Sequence, residues 1–440
     1  MPFETGYADG FTSGFSSGAS ASKRIAVIGG GISGMSAAHM LGDLNQVVLF
    51  ESESRLGGHA RTVFAGKDHR PVDTGFLVFN YATYPHLTAL FEKLDVPISE
   101  SNMSFGCSVG EGRMEYGILA RSAIFAQKRN LLRPQFYKML FDMIRFGKEA
   151  DGVVDDEMSV GDLIDAMNLG AWFRDYYLLP MSGAIWSTPT TKIMEFPARA
   201  LVSFFMNHGL MRDNAQHAWY TVSGGSIEYV SRLAARMARQ GVDMRLGAGI
   251  AGVRRTPLGV EVRAHGGDWE HFDDVVFATH SDDTLAMLAD PSEAEAKSLS
   301  AIAYQPNYAV LHSDPITMAK RKAVWAAWNY TESPDTDVID LTYWINRLQN
   351  IPGPEQFFVT LNSQKTIREE LVHDTYTFRH PVFDAAAHKA QCDIAAFNGT
   401  RGTWFCGAWM KNGFHEDGIA SAVDVVHAIE ARDALPLAAE

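Results

Sequence analysis

Three glycines near the start of the chain have the spacing of a phosphate-binding turn. Gly29, Gly31 and Gly34 follow a short apolar run, residues 25–28, and lead into a segment of helix-forming composition. In such a turn the first glycine permits the sharp exit from a strand, the second lets backbone approach a pyrophosphate, and the third lets helix and strand pack closely. A second apolar run ends on Glu51, where an acid can accept hydrogen bonds from ribose hydroxyls. The pattern predicts a dinucleotide site; the alternative is a glycine-rich turn in an ordinary α/β unit.

A second glycine-rich segment follows Glu51. Gly57 and Gly58 are adjacent and stand beside basic residues, including Arg55. Two glycines and nearby positive charge, just after a nucleotide-binding strand, are typical of a loop that passes over a pyrophosphate.

Composition limits the class of protein. The 440 residues carry a net charge of −14, which argues against a general nucleic-acid binder. The three cysteines form no CxxC pair, and the 15 histidines form no HxH or HExxH cluster, so we expect neither a disulfide framework nor a metal site. No apolar run reaches the roughly 18 residues of a membrane span. Residues 1–22 are rich in Gly and Ser, contain no Lys or Arg, and are expected to be a flexible tail, so a cytoplasmic location is predicted.

The pattern of elements predicts two interleaved domains. Residues 81–214 are mainly helical in pattern, whereas strand signals return after residue 220 and the chain closes on a strand, a glycine-containing loop and a helix. We expect an α/β fold with a discontinuous, Rossmann-like nucleotide domain and an inserted mixed α+β substrate domain. The predicted boundaries of the nucleotide domain are 23–80, 215–295 and 395–432, and those of the substrate domain are 81–214 and 296–394.

Together, these motifs resemble the FAD-dependent amine oxidase and phytoene desaturase superfamily. The similarity covers essentially the whole chain after residue 22. Within that superfamily, the segments 73–80 (DTGFLVFN), 127–134 (QKRNLLRP), 178–187 (LLPMSGAIWS), 304–314 (YQPNYAVLHSD) and 413–422 (GFHEDGIASA) resemble a narrower bacterial group. That group is akin to the oxidase-like N-terminal domain of plant cyclopropane fatty acid synthases. It includes desaturase-like enzymes of methylated and furan fatty acid formation.

The resemblance implies FAD as the cofactor and assigns residues to it. Glu51 would bind the adenosine ribose, Val253 would pair with adenine through its backbone, and Asp417 would help place a helix N-terminus near the flavin. The full set of implied FAD-binding residues is Gly29, Gly31, Ile32, Ser33, Gly34, Glu51, Arg55, Gly57, Gly58, His59, Thr74, Gly75, Val253, Gly407, Asp417, Gly418 and Ile419.

Three positions depart from the pattern of that superfamily. His59 stands where an arginine is common after the paired glycines, and Ala408 stands where an acid often follows the last phosphate-side glycine. The lysine that many amine oxidases place near flavin N5 corresponds to Tyr308 if 304–314 is aligned correctly. A tyrosine cannot act there as an ammonium does, which argues against amine oxidation.

Three residues are candidates for chemistry beside the flavin. His415 and Glu416 precede the closing helix and could transfer a proton, the alternative being that both cap the helix or bind loop backbone. Tyr308 could line the pocket or donate a proton, the alternative being a packed strand tyrosine.

Residues 121–148 stand out against the acidic chain. They include seven basic residues and one acid, Asp142, and a helix predicted from Pro134 has apolar residues around most of its surface. Such a helix is suited to a membrane interface with anionic head groups. The alternative is a helix packed on the protein with a solvated basic edge.

These observations predict an FAD-dependent oxidoreductase that removes a hydride from an apolar, lipid-like substrate, such as a methylated fatty acyl chain of a membrane lipid. Three alternatives stay open: oxidation of a small amine, isomerisation of a double bond, and a lipid or prenyl-protein binding module without catalysis. For the lipid-oxidising enzyme, peripheral contact at the inner face of the membrane, through 121–148, is expected. The sequence gives no oligomeric state.

Overall fold

The computed structural model describes residues 22–118, 121–186, 193–207, 211, 218–332 and 340–434. The tail expected at 1–22 lies outside the described residues except for its last position.

The strands form two large sheets and three small ones. In chain order they are β1 Arg24–Ile28, β2 Gln46–Phe50, β3 Thr62–Ala65, β4 Arg70–Asp73, β5 Ile98–Glu100, β6 Phe105–Val109, β7 Met114–Ile118, β8 Tyr220–Val222, β9 Asp243–Arg245, β10 Ile250–Thr256, β11 Gly259–Ala264, β12 Trp269–Phe272, β13 Asp274–Phe277, β14 Tyr304–His312, β15 Trp328–Thr331, β16 Asp340–Trp344, β17 Phe358–Leu361, β18 Val372–Pro381 and β19 Thr403–Phe405.

The α-helices lie on both sides of the first large sheet and mainly on one side of the second. They are α1 Ile32–Leu41, α2 Pro85–Lys93, α3 Arg121–Ile124, α4 Pro134–Val153, α5 Val160–Ala166, α6 Ala171–Phe173, α7 Leu179–Trp186, α8 Ala198–Asn207, α9 Ile227–Gln240, α10 Ser281–Met287, α11 Glu293–Ser300, α12 Ile345–Leu348, α13 Ala385–Phe397 and α14 His415–Ala434. A π-helical turn, Arg174–Leu178, joins α6 to α7.

The first large sheet is parallel and has the order β19–β13–β1–β2–β9. Its three central strands, β13, β1 and β2, are almost continuously apolar, as expected for a sheet covered on both faces. Helices α1, α9 and α14 pack on one face, and the β10–β12 meander with α11 and α13 packs on the other. Three distant segments of the chain therefore supply one Rossmann-like sheet, and the predicted α/β fold is confirmed.

The second large sheet has the order β18–β14–β17–β16–β15–β6–β7 and is antiparallel except where β15 pairs with β6. Helices α4 to α8 cover one of its faces and share an apolar core with it. The prediction of a mainly helical region at 81–214 was incomplete, because β6 and β7 lie within it and belong to this sheet. Both strands are buried on both faces, so their residues show no polar alternation that would identify a strand.

Helix α4 is 20 residues long and begins with Pro134 at its first position, as the sequence predicts. Among the described residues, no helix is both long enough and apolar enough to cross a bilayer.

Candidate functional site

The turn between β1 and α1 has the geometry that its glycines predict. Gly29 adopts a positive φ of 107°, and its N–H donates to the carbonyl of Phe50 at 2.8 Å. A Cβ atom placed on Gly34 would lie 1.8 Å from the carbonyl oxygen of Gly29, so no side chain fits between helix and strand. The first turn of α1 is thereby held against the end of β1.

Gly31 faces open space. A Cβ atom placed there would meet only the Cα of Gly58, at 4.0 Å. Gly31 and Gly57 form an isolated parallel bridge, and the N–H of Gly57 donates to the carbonyl of Gly30 at 2.8 Å. The second glycine-rich loop therefore lies directly beside the first, with room at Gly31 for a phosphate.

The closing helix reaches the same point. A Cβ atom on Gly418 would lie 2.8 Å from both Ile32 Cγ2 and Ser33 Oγ, so the first turns of α14 and α1 are in contact. Ile419 is fully buried in the core that the two helices share. Two helix N-termini, each with a partial positive charge, converge beside the glycine turn, and this arrangement suits a pyrophosphate.

Glu51 organises the turn from the end of β2. Its Oε2 accepts from the N–H of Gly30 at 2.6 Å, and its Oε1 accepts from the N–H of Glu53 at 2.7 Å. A carboxylate has lone pairs for further donors, so these bonds leave capacity for ribose hydroxyls. The ribose role itself stays a prediction.

Arg55 braces the second loop rather than pointing out of it. Its Nη2 donates to the carbonyl of Gly58 at 3.0 Å and lies 2.9 Å from a carboxylate oxygen of Glu53. Nη1 donates to the carbonyl of Ala60 at 3.3 Å. The guanidinium thus fixes the backbone of the loop that faces Gly31.

The segment after this loop pairs with Thr74 and Gly75. The N–H of Thr74 donates to the backbone carbonyl of Arg61, and the N–H of Phe76 donates to the backbone carbonyl of His59, both at 2.9 Å. A Cβ atom on Gly75 would lie 2.0 Å from the carbonyl oxygen of His59, so only glycine allows this approach. These residues position the His59 side chain.

At Gly407, before α14, the N–H donates to Ser421 Oγ at 2.9 Å. A Cβ atom there would lie 2.4 Å from the indole nitrogen of Trp409, which in turn donates to the carbonyl of Thr279 at 2.9 Å. The loop before the closing helix is therefore fixed to the end of β13.

Histidines that the sequence analysis did not select surround His59. The ring centroid of His59 lies 5.9 Å from that of His280, 5.5 Å from that of His380 and 5.2 Å from that of Phe378. Burial lowers the pKa of all three histidines, to about 3 for His280 and His380. The cluster is therefore neutral at physiological pH. His280 could have been found from its place just after β13, because ligands of parallel sheets bind at the carboxyl ends of the strands.

The tautomer of His380 follows from a chain of hydrogen bonds. Asn362 Oδ1 accepts from the N–H of Tyr308 at 2.8 Å, so Asn362 Nδ2 is the donor to Asn307 Oδ1 at 2.7 Å. Asn307 Nδ2 must then donate to His380 Nδ1 at 2.8 Å. Neutral His380 therefore carries its proton on Nε2.

His415 is held in a fixed orientation at the start of α14. Its Nε2 lies 2.7 Å from the hydroxyl of Tyr229, and its ring stacks on Phe76 with centroids 4.0 Å apart. Burial, with a smaller effect from His59, lowers the pKa of His415 to about 3. A neutral ring at neutral pH is compatible with positioning or hydrogen bonding, and its proposed part in proton transfer stays a prediction.

Glu416 has the geometry of a helix cap. Its Oε1 accepts from the N–H of His86 and its Oε2 from the N–H of Leu87, both at 2.9 Å, at the start of α2. Burial raises its pKa to about 7. The two hydrogen bonds correspond to the alternative in which Glu416 binds backbone and does not transfer a proton. Asp417 also binds backbone, because its Oδ2 accepts from the N–H of Phe414 at 2.8 Å.

Two assigned positions are corrected by the geometry. Tyr308 lies opposite Thr377 in the β14–β18 ladder, whereas Asn307 lies opposite Phe378. Since directly opposed residues share a face and successive residues alternate, Asn307 points to the side of the histidine cluster and Tyr308 to the other side. Tyr308 is 48% exposed there.

Val253 is the second correction. Its carbonyl already accepts from the N–H of Ala289 at 2.8 Å, and its side chain is fully buried. The segment beside Glu51 comes earlier in the chain. The N–H of Ala248 donates to the backbone carbonyl of Glu51 and the N–H of Gly247 to the backbone carbonyl of Glu53, both at 2.8 Å. An adenine next to the ribose carboxylate would therefore meet residues 247–249 before it met Val253.

Comparisons with known proteins identify the family and the fold. The sequence profile of the family described as flavin containing amine oxidoreductase matches residues 32–315. No curated protein sequence matches the chain. Among solved structures, similarity extends to a CLA-producing fatty acid isomerase from P. acnes, with 14% identity, a TM-score of 0.67, and coverage of 92% of this chain and 98% of that one. Cyclohexylamine oxidase from Brevibacterium oxydans IH-35A has 14% identity, a TM-score of 0.67, and coverage of 94% and 99%. Putrescine oxidase bound to putrescine has 16% identity, a TM-score of 0.69, and coverage of 94% and 100%.

Proposed function

The chain belongs to the flavin-containing amine oxidoreductase family and is an FAD-dependent oxidoreductase; from this premise we propose that it oxidises an apolar, long-chain substrate, a fatty acyl chain of a membrane lipid. The open space at Gly31, between two glycine loops and two helix N-termini, fits the pyrophosphate of FAD. Bound FAD supplies the acceptor for a hydride. The residues of the chain bind and orient both molecules and keep water out.

The observation that carries the proposal is the neutral character of the histidine side of the site. His280, His380 and His415 all have a pKa lowered to about 3, with burial as the largest cause. A site that keeps three imidazoles uncharged is poorly solvated and provides little compensation for an ammonium group. An uncharged, apolar substrate suits this environment better than an amine does.

The adjoining part of the substrate domain has the same character. Phe414 stacks on Phe204 of α8 with ring centroids 4.7 Å apart. Partly buried apolar side chains, including Met206 and Met181, pack nearby on the core of the helical layer. On β14, Gln305, Asn307 and Ala309 share the face of the histidine cluster, and β14 contains no lysine. These features favour an acyl chain over a small amine.

Anaerobic reduction of the bound flavin tests the proposal. We expect phospholipid vesicles to bleach the flavin absorbance of the holoenzyme, and putrescine and cyclohexylamine to leave it unchanged. Mass spectrometry of the lipid should then show the loss of two hydrogens. Bleaching by the amines alone would contradict the proposal and establish C–N oxidation.

A fatty acid isomerase shares the fold, so isomerisation is the second candidate. It predicts a lipid of unchanged mass with a displaced double bond and a flavin that stays oxidised at the end of the reaction. Product analysis in the same experiment therefore separates the two reactions.

A further inference from the structure

Five large apolar side chains lie exposed on one surface of the helical layer. We call this surface the apolar patch, and it consists of Leu131, Leu132, Tyr137, Phe141 and Ile144. Leu132 is 85% exposed, Phe141 60% and Ile144 49%. Contiguous exposed side chains of this size are unusual on a soluble protein surface and mark an interaction site.

The geometry of α4 explains why these residues are exposed together. Phe136, Met139 and Phe146 face the core and are almost fully buried. Tyr137, Phe141 and Ile144 follow one another at helical spacing on the opposite side of the helix. The Tyr137 hydroxyl donates to the carbonyl of Leu131 at 3.1 Å, which joins the helix to the preceding turn. Burial on one face is complete, whereas Phe141 and Ile144 on the other face are exposed and Tyr137 contacts the edge of the layer, with its ring 6.2 Å from that of Phe125.

Basic residues surround the patch. Lys128 and Arg129 are exposed in the preceding 3-10 turn, Lys128–Leu132. On the helix, Lys138 lies 2.9 Å from Asp142 and Arg145 lies 3.6 Å from it, so the buried carboxylate, the only acid in 121–148, is already balanced. Arg145 also lies 3.6 Å from Glu149, so the positive charge beside the patch comes mainly from Lys128 and Arg129, although the whole chain carries a net charge of −14.

We propose that the apolar patch docks on an anionic phospholipid membrane. Apolar and aromatic side chains enter the head-group boundary, and the basic residues bind lipid phosphates. The positive charge complements an anionic surface, and it would oppose docking between two copies of the same patch. The proposal rests on the proposed function only for its biological purpose, because docking itself requires no turnover.

The inner side of the helical layer contacts the segment just before His415. The ring of Phe146, on the buried face of α4, lies 6.2 Å from that of Phe205 on α8. The neighbouring Phe204 stacks on Phe414, directly before His415. Aromatic contacts therefore connect the buried face of α4 with the segment just before α14.

Co-sedimentation of the holoenzyme with vesicles tests the docking. We expect binding to vesicles that contain phosphatidylglycerol and at least tenfold weaker binding to vesicles of phosphatidylcholine alone. Phe141→Glu and Leu132→Glu should each weaken binding to the anionic vesicles at least tenfold. Leu258→Glu is the matched control, because Leu258 is 84% exposed in the turn between β10 and β11 and undergoes the same change of charge. It should bind within twofold of the unaltered protein.

The variants change exposed side chains, so their Tm values and flavin content should match those of the unaltered protein. Equal weakening by all three substitutions, or no binding of the unaltered protein to anionic vesicles, would overturn the proposal. The proposal would also be overturned if the unaltered protein did not bind vesicles and formed a dimer that Phe141→Glu dissociates. Vesicle binding without flavin reduction by lipid would leave the docking in place and contradict only the proposed reaction.

Discussion

Replacing Gly31 by valine should remove FAD without unfolding the protein. At Gly31, φ is −75° and ψ is −177°, an extended conformation that valine readily adopts. The added Cβ would have its nearest neighbour, Gly58 Cα, at 4.0 Å, which is ordinary van der Waals contact. The γ-methyl groups would fill the space between the two glycine loops. We therefore expect a loss of about 1 kcal/mol at most, from the poorer N-cap of α1.

The effect on the cofactor should be much larger. A ligand present at 100 times its Kd stabilises the folded protein by about 2.7 kcal/mol. We expect FAD to raise the Tm of the unaltered apoprotein, to leave the Tm of Gly31→Val unchanged, and to give a colourless variant after purification. The measurements are a thermal scan with and without FAD and the flavin absorbance per mole of protein.

Gly34→Ala is the control for folding. Its Cβ would lie 1.8 Å from the carbonyl oxygen of Gly29, so helix and strand would have to separate. Overpacking of this severity should cost roughly 3 kcal/mol or more and lower the Tm whether or not FAD is present. A Gly31→Val protein that stays fully yellow would refute the placement of the pyrophosphate. A Gly31→Val apoprotein as unstable as Gly34→Ala would show that the space at Gly31 is not open to a side chain.

Other substitutions separate structural from chemical roles. Glu416→Gln loses one of two oxygens that accept from backbone, so we expect the free energy of unfolding to fall by about 1–3 kcal/mol. The rate of reduction per bound flavin should stay within twofold. A 100-fold slower rate at unchanged Tm would instead establish proton transfer. The pKa of His280 is lowered to about 3 in the folded protein, so the unfolded chain binds a proton on this histidine more readily. The contribution of neutral His280 to stability is therefore complete above pH 6.5 and is lost as the pH falls towards 3. The free energy of unfolding, measured with urea, should fall between pH 8 and pH 5 by about 2 kcal/mol less in His280→Asn than in the unaltered protein. Equal falls would contradict a neutral His280. Asn307→Asp replaces the donor to His380 by a carboxylate, so the pKa of His380 should rise by about 2 units in an NMR titration, whereas Tyr308→Phe should not change it. An unchanged pKa in the aspartate variant would show that residue 307 does not contact the His380 ring.

The nucleotide domain was predictable because its signals are local. The apolar runs at 25–28 and 47–50 correspond to β1 and β2, and the buried residues of α9, Tyr229, Val230, Leu233 and Met237, recur at helical spacing. Parallel strands buried on both faces are continuously apolar, and an exposed helix alternates with a period of 3.6, so each pattern identifies its element. The glycine turn adds positions whose spacing has few alternative explanations.

The second sheet depends on pairings that no local pattern contains. Phe105 of β6 lies opposite Trp328 of β15, more than two hundred positions away. The same limitation affects the site: His59, His280 and His380 come from three distant segments and meet only in the folded chain. The choice between Asn307 and Tyr308 depends on a shift of one residue, which moves a side chain to the other face of a strand. An alignment of a short motif does not fix that register, but a ladder of hydrogen bonds does.

The two ends of the site differ in electrostatic character. At one end, the N-termini of α1 and α14 meet beside Gly31 and present N–H groups and partial positive charge, which stabilise phosphate. At the other end, His280, His380 and His415 are neutral, and ring stacking on Phe76 covers one of them. Because FAD is aromatic at both ends, its direction depends on Glu51, which lies beside Gly30 and would accept from the adenosine ribose, so that the flavin ring would lie towards the histidines. Substitutions at the first end should change the affinity for FAD, and substitutions at the second should change how bound FAD reacts.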